Sequence, residues 1–144
     1  MLVELIAAIT ILLVLTTLAL PLARNQIIRA RETQLREDLR TMRDAIDRYK
    51  MMSDQQMIPV KVDSYGYPPD LQTLVDGVPV RGTAKGKYKF LRKIPTDPMT
   101  GSADWGLRAM QDDPDSKSWG GGNVFDVFSK SSGTALDGTQ YADW

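Results

Sequence analysis

Residues 1–25 read MLVELIAAITILLVLTTLALPLARN, and this stretch decides the fold because Glu4 is its only charged side chain before Arg24. As an α-helix, residues 1–23 would be about 34 Å long, close to the ~30 Å hydrocarbon thickness of a bilayer. A secretory signal peptide would instead begin with basic residues and end in a small-residue cleavage site. The pattern predicts that residues 1–23 form a membrane-spanning or filament-core helix that belongs to the working protein.

Glu4 is the feature of this segment that needs an explanation. A carboxylate in a membrane-spanning helix costs about 2.5–3.5 kcal/mol at the helix centre, and somewhat less near an end. In one explanation, the side chain reaches the lipid headgroups and also interacts favourably with the helix dipole. In the other, it pairs with a cation of another chain, most simply the α-amino group of a neighbouring copy. The residues alone leave both explanations open.

The charges that flank the span bear on its orientation. The nearest basic residues, Arg24, Arg29 and Arg31, all follow it. The positive-inside tendency alone would place that side of the span in the cytoplasm. If the C-terminal part is exported instead, we expect that a basic leader ahead of Met1 set the orientation and was then removed.

Residues 24–53 continue the helix as an amphipathic segment. Apolar residues recur at helical spacing, and Glu32–Arg36 and Asp44–Arg48 are acid-before-base pairs four residues apart. Joined to the span, the helix would be about 80 Å long, whereas a compact chain of this size has a radius of gyration of only ~15 Å. The helix must therefore protrude. Pro21 is expected to kink it or melt it locally, since proline has no amide hydrogen. The predicted apolar stripe comprises Ile28, Leu35, Leu39, Met42, Ile46 and Tyr49.

Residues 54–144 are rich in Pro, Gly and Ser, and they predict a small globular head. The stretch from Leu71 to Gly77 is predicted to be a short helix that ends at the glycine. NVFDVFSK, residues 123–130, alternates like a strand, with Val124, Asp126 and Phe128 on one side. The closing residues predict turns and one more short strand. The fold class is therefore α+β, with a small antiparallel sheet packed on the C-terminal half of the long helix.

Composition excludes most common enzyme chemistry. The chain has no Cys and no His, so it cannot form a Ser-His-Asp triad, a thiolate nucleophile, an imidazole zinc site or a disulfide. Its 18 acidic and 18 basic side chains balance, which gives no reason to expect nucleic acid as a partner. We expect no catalytic residues and no enzymatic activity.

Leu2, Val3, Glu4 and Leu5, followed by an apolar helix and Pro21, resemble the mature N-terminus of the type IV pilin-like superfamily. The blocks YGYPPDLQTLVDG, LRKIPTDPMTG and FDVFS, in that order, are similar to those of type II secretion major pseudopilins. Both Glu4 and Pro21 stand one position earlier than in the family pattern, so we expect one further N-terminal residue ahead of Met1.

The resemblance implies a pilin-like fold and a role as the structural subunit of a pseudopilus, a filament that drives protein secretion. It implies that prepilin peptidase processes the chain, that the new terminus is methylated, and that minor pseudopilins and an inner-membrane assembly platform are partners. The subunit would wait in the bacterial inner membrane, in contact with lipid, and then enter a periplasmic or extracellular homopolymer. The assembly residues would be Met1, Leu2, Glu4, Leu5 and Pro21.

The resemblance also implies a calcium site in the loop after the penultimate strand. Asp137 and Asp143 would supply carboxylates, and Ser129 a backbone carbonyl, all of them oxygen ligands that suit Ca²⁺. Two Asp residues in a Gly/Ser/Thr-rich tail are also typical turn formers, and this alternative stays open.

Two other functions fit the same sequence. A surface type IV pilus for adhesion or motility would use the same helix chemistry. A membrane-anchored binding module or enzyme would use the span only as a tether, and its Glu4 would then have no role in assembly.

Overall fold

The fold, taken from a computed structural model that describes residues 1–82 and 86–144, begins with one long helix. Helix α1 spans Leu2–Asp54, 53 residues, and is therefore about 80 Å long. It ends where the Gln55 amide donates to the Met51 carbonyl. The predicted α+β architecture, a long N-terminal helix with a small antiparallel C-terminal part, is confirmed.

The apolar half of α1 satisfies its own polar groups. The hydroxyls of Thr10, Thr16 and Thr17 each donate to a backbone carbonyl three or four residues earlier, at 2.7–2.8 Å. No hydroxyl of these threonines therefore needs water, as a hydrocarbon environment demands. The chain stays helical through Pro21, so it does not melt there, although Pro21 has no amide hydrogen to offer the Thr17 carbonyl.

The C-terminal half of α1 supplies one side of the core. Of the predicted apolar stripe, every member from Leu35 onward is buried, whereas Ile28 is only half-buried because it precedes the head. Residues on the neighbouring positions widen this face. The helix residues buried against the head are Leu35, Asp38, Leu39, Met42, Ala45, Ile46, Tyr49, Met52 and Ser53.

The charged side chains on this half of α1 contact the head, and the predicted Glu32–Arg36 pair is not formed. The Glu32 carboxylate accepts hydrogen bonds from the Leu136 amide at 2.8 Å and the Tyr141 hydroxyl at 3.0 Å. The Arg36 guanidinium lies 3.8 Å from the Trp144 ring centroid and 3.6 Å from Asp137. The head therefore provides better partners than the next helical turn does.

Asp44 and Arg48 are likewise not paired, because Arg48 donates to the Phe90 carbonyl at 3.1 Å. A backbone carbonyl of the head thus replaces the predicted helical partner.

In the described residues of the head there are one short α-helix and two small sheets. Helix α2, Leu71–Asp76, begins at Asp70, whose carboxylate accepts from the Thr73 amide at 2.7 Å, and ends at Gly77 as predicted. Strand β1 (Val78–Pro79) pairs antiparallel with β2 (Lys87–Tyr88), and β3 (Gly106–Arg108) pairs antiparallel with β4 (Asp126–Phe128).

The predicted single sheet is thus replaced by two separate two-stranded sheets. Each strand has only two or three residues, too few to extend a common ladder. Near the C-terminus, the predicted extra strand reduces to one bridge between Thr134 and Gln140, followed by a 3₁₀ turn at Tyr141–Asp143.

The alternation predicted for β4 is only partly correct. Val124 and Phe128 are buried, and Phe125 is exposed. Val127 is also buried, although the predicted alternation places it on the side opposite to Val124 and Phe128. The strand begins only at Asp126, so Val124 and Phe125 lie before it and do not follow its two-residue period.

Gly106 lets β3 lie against β4. A Cβ at this position would come within 2.3 Å of the Phe128 ring. The aromatic ring therefore covers the backbone of Gly106, and a larger residue there would displace the Phe128 ring.

Arg43 joins α1 to the end of β4 and to the C-terminal turn. Its guanidinium donates to the Asp126 carboxylate at 2.7 Å, the Val127 carbonyl at 3.0 Å and the Trp144 carbonyl at 2.7 Å. Asp126 also accepts from Arg108 at 3.2 Å, so one carboxylate ties the helix to both strands.

Arg43→Met is expected to lower the free energy of unfolding by about 2 kcal/mol or more, because it leaves partly buried oxygen acceptors unpaired. Arg40→Met removes the same charge from an exposed position one turn away and serves as the matched control. Urea unfolding of the full chain in detergent, followed by tryptophan fluorescence, measures both. Equal losses in the two variants would contradict this role for Arg43.

Asp38 carries a pKa raised by its burial against the head, with the nearby carboxylates of Asp97 and Glu37 adding to the rise. Its hydrogen bond from Gln34, 2.9 Å long, and the charge of Lys93 oppose the shift. The folded protein therefore holds this proton more tightly than the unfolded chain does. The resulting stabilisation is present below the unfolded pKa of about 3.9 and is lost as pH rises through the folded pKa.

Asp38→Asn is accordingly expected to raise the thermal midpoint at pH 7.5 and to lose this advantage below about pH 4. Asp47→Asn, at an exposed position of the same helix, is the control and should change little at either pH. Calorimetry across pH 3.5–8 makes the comparison. A benefit of Asp38→Asn that is independent of pH would refute the assignment.

Candidate assembly surface

The apolar half of α1 is the largest exposed apolar surface among the described residues. We call residues 1–23 the shaft; every one of them is exposed. Helix α1 is long and apolar enough to cross a membrane, and its most apolar window is not buried at all, unlike the core helix of a soluble protein. The large exposed apolar residues of the shaft are Met1, Leu2, Val3, Leu5, Ile6, Ile9, Ile11, Leu12, Leu13, Val14, Leu15, Leu18, Leu20 and Leu22.

A continuous apolar rod of this length is much larger than the apolar patches that monomeric soluble proteins expose. It must be covered by lipid or by other protein chains. The geometry alone is compatible with lipid, with other protein chains, or with first one and then the other.

Glu4 lies in the first turn of α1 and is exposed. It takes part in no ion pair within the described parts of the chain. The next basic side chain in the sequence, Arg24, is twenty residues further on and so about 30 Å along the helix. Once the shaft is covered, a basic side chain of the same protomer cannot reach this carboxylate.

The structure brings four of the five predicted assembly residues together. Met1, Leu2, Glu4 and Leu5 share the first helical turn, where the Leu5 amide donates to the Met1 carbonyl at 3.1 Å. Pro21 lies about 25 Å away, near the other end of the shaft. Glu4 and Pro21 therefore lie near opposite ends of the shaft.

The three predicted calcium ligands each have a different partner. The Asp137 carboxylate accepts from the Thr139 amide at 3.0 Å and the Thr139 hydroxyl at 2.6 Å, and these hydrogen bonds lower its pKa. Asp143 pairs with Lys117 at 2.7 Å. The buried Ser129 donates its hydroxyl to Asp97 at 2.5 Å.

In this arrangement, both predicted carboxylate ligands already have polar partners. Each of the two carboxylates lies near a basic side chain. Calcium binding would require Lys117 to release Asp143. It stays a prediction, beside the turn-forming role that Asp137 has with Thr139.

Sequence reasoning missed the buried carboxylate of Asp97. It accepts from Ser129 and, at 2.7 Å, from the Met99 amide, so it fixes the turn that precedes β3 against the residue that follows β4. Its backbone also bonds to Ser102 and Gly101 at 2.8 Å. Pro98 and Gly101 are typical turn residues, but no sequence signal indicates that the Asp97 carboxylate is buried.

Comparison of the chain with protein-family models, curated proteins and solved structures gives no match. The assignment of a function therefore depends on the residues and geometry described above.

If Asp137 and Asp143 keep their present partners, millimolar Ca²⁺ should leave the thermal midpoint of the full chain unchanged. EGTA provides the metal-free reference, and Asp104→Asn, which removes another exposed carboxylate paired with a lysine, is the control variant. A rise in the midpoint with Ca²⁺ that Asp137→Asn removes and Asp104→Asn keeps would instead establish the calcium site.

Proposed function

We propose that this protein is the structural subunit of a helical filament of the pseudopilus type, which drives protein secretion and has no enzymatic activity of its own. The observation that carries the proposal is the exposed shaft with a single carboxylate near its tip. The resemblance of the N-terminus and of the three head blocks to major pseudopilins supports the choice of filament.

Packing of shafts against one another would remove their apolar surfaces from water or lipid. Each fully buried Leu or Ile side chain stabilises the assembled state by about 1.5–3 kcal/mol relative to exposure in water. Against a lipid environment the gain comes instead from closer packing, whose dispersion contacts are individually small and collectively large. The aliphatic side chains along the shaft are suited to such packing.

Glu4 would set the register of this packing. An unpaired carboxylate inside a bundle of apolar helices is costly, and an ammonium group from the neighbouring copy removes most of that cost. The pair forms only when one subunit is displaced along the axis by the correct distance. One ion pair per interface thus specifies a position that the apolar contacts alone do not.

The contacts between α1 and the head suit a subunit that must transmit force. The core between them is continuous, and Glu32, Arg43 and Arg48 add polar contacts across the same interface. Movement of the shaft would therefore carry the head with it.

The remaining parts of the proposal follow from the resemblance. Prepilin peptidase would process the precursor, the subunit would wait in the inner membrane, and an assembly platform would add it to a periplasmic or extracellular filament together with minor pseudopilins.

Glu4→Gln is expected to abolish filament formation. The substitution keeps the size of the side chain but leaves the partner ammonium without a counter-charge, a loss of about 3 kcal/mol per interface or roughly 100-fold in critical concentration. Glu37→Gln, at an exposed carboxylate on the same helix, is the matched control. Electron microscopy and sedimentation of sheared extracellular material measure the filaments.

Normal filaments from Glu4→Gln would contradict the proposed register. A protein that stays monomeric in detergent and forms no filaments in the wild type would favour a membrane-tethered module instead. Long surface fibres, with secretion intact in a deletion strain, would favour an adhesion or motility pilus.

A further inference from the structure

Three arginines form a basic collar directly after the shaft. We define the collar as Arg24, Arg29 and Arg31, all of which are exposed. Residues 5–31 contain these three cations and no acidic side chain. The collar therefore carries a local charge of about +3 in a protein whose net charge is zero.

The collar has no counter-charge within residues 1–82 and 86–144. None of its guanidinium groups forms an ion pair there. The nearest carboxylate in sequence, Glu32, accepts hydrogen bonds from the Leu136 amide and the Tyr141 hydroxyl of the head. Glu32 keeps its charge, but the head holds its Oε1 atom, and Glu32 forms no ion pair with the collar within the described residues.

The helix also places the collar at a defined depth. If residues 1–23 occupy the hydrocarbon layer, Arg24 begins the headgroup layer, and Arg29 and Arg31 follow about 9 and 12 Å beyond Ala23. The headgroup layer is about 5–7 Å thick on each side, and charges interact across roughly 8–10 Å at moderate ionic strength. Long arginine side chains reach back toward such a surface.

The three side chains lie on two roughly opposite faces of the helix instead of lining one face. Arg24 and Arg31 are seven residues apart and so lie on nearly the same face, whereas Arg29 is rotated by about 140° from Arg24. Such an arrangement suits several lipid headgroups around one helix. It does not enclose a single small anion.

We propose that the collar binds the phosphate groups of anionic phospholipids and thereby selects the lipid around the subunit before assembly. This inference rests on the membrane-inserted stage of the proposed function but not on filament formation. Guanidinium groups pair with phosphate oxygens through charge-assisted, often bidentate hydrogen bonds. Each basic residue at a membrane surface is expected to favour anionic over zwitterionic lipid roughly fivefold.

The test uses the full chain, reconstituted in vesicles of equal parts phosphatidylglycerol and phosphatidylethanolamine. After mild detergent extraction, native mass spectrometry counts the lipids that remain bound. The collar variant is Arg24→Gln/Arg29→Gln/Arg31→Gln. The control variant, Arg40→Gln/Arg81→Gln/Arg92→Gln, removes three other exposed arginines.

We expect the wild type and the control variant to retain mainly phosphatidylglycerol. In the collar variant, the ratio of bound phosphatidylglycerol to bound phosphatidylethanolamine should be at least fivefold lower. A preference unchanged in the collar variant, or lowered equally in both variants, would overturn the proposal. Loss of the preference on adding 10 mM inorganic phosphate at constant ionic strength would overturn a lipid-specific site and indicate a free-phosphate site.

The same measurement on Glu4→Gln separates this inference from the proposed function. Lipid preference should persist in that variant, because the collar is about 30 Å from Glu4. Loss of the preference in the collar variant, together with normal filaments from Glu4→Gln, would support the collar and contradict the filament register. An unchanged lipid preference in the collar variant, together with loss of filaments from Glu4→Gln, would contradict only the proposed lipid binding by the collar.

Discussion

The apolar shaft must be covered, and this constraint shapes the rest of the molecule. Within the described part of the chain, residues 1–23 are all exposed, so the protomer itself leaves them uncovered. A lipid bilayer covers such a rod without setting its position relative to other copies of the chain. Neighbouring shafts, in contrast, can cover it in one register only if a specific contact fixes their relative position. Glu4 is the group in the shaft that can provide that mark, since its charge demands a partner at one place.

The second half of α1 has a different role, because it holds the head. Apart from Asp38, its buried face is apolar from Leu35 to Met52, and charged residues at the edge of this face contact head carbonyls and a carboxylate. One helix therefore joins the shaft, which only other molecules can cover, to a segment whose apolar face the head already covers. The collar lies at the junction of these two parts of the helix.

Much of this could be predicted because the signals are local. A run of apolar residues and a helical period from Leu35 to Tyr49 fix α1, and Gly77 ends α2 where its sequence indicates. The head was harder, since its strands are short and depend on distant partners. Gly106 matters only because Phe128 lies over it, and Asp97 is buried only because Ser129 lies opposite. The Glu32–Arg36 pairing was wrong for the same reason: the Leu136 amide and the Tyr141 hydroxyl come from more than 100 residues away.

The most direct measurement of the central claim is a high-resolution structure of the purified filament. The account predicts that the Glu4 carboxylate lies within about 3 Å of the N-terminal amino group of an adjacent subunit, inside a core of packed shafts. A filament in which this carboxylate faces solvent, or lies apart from every cation of its neighbours, would contradict it.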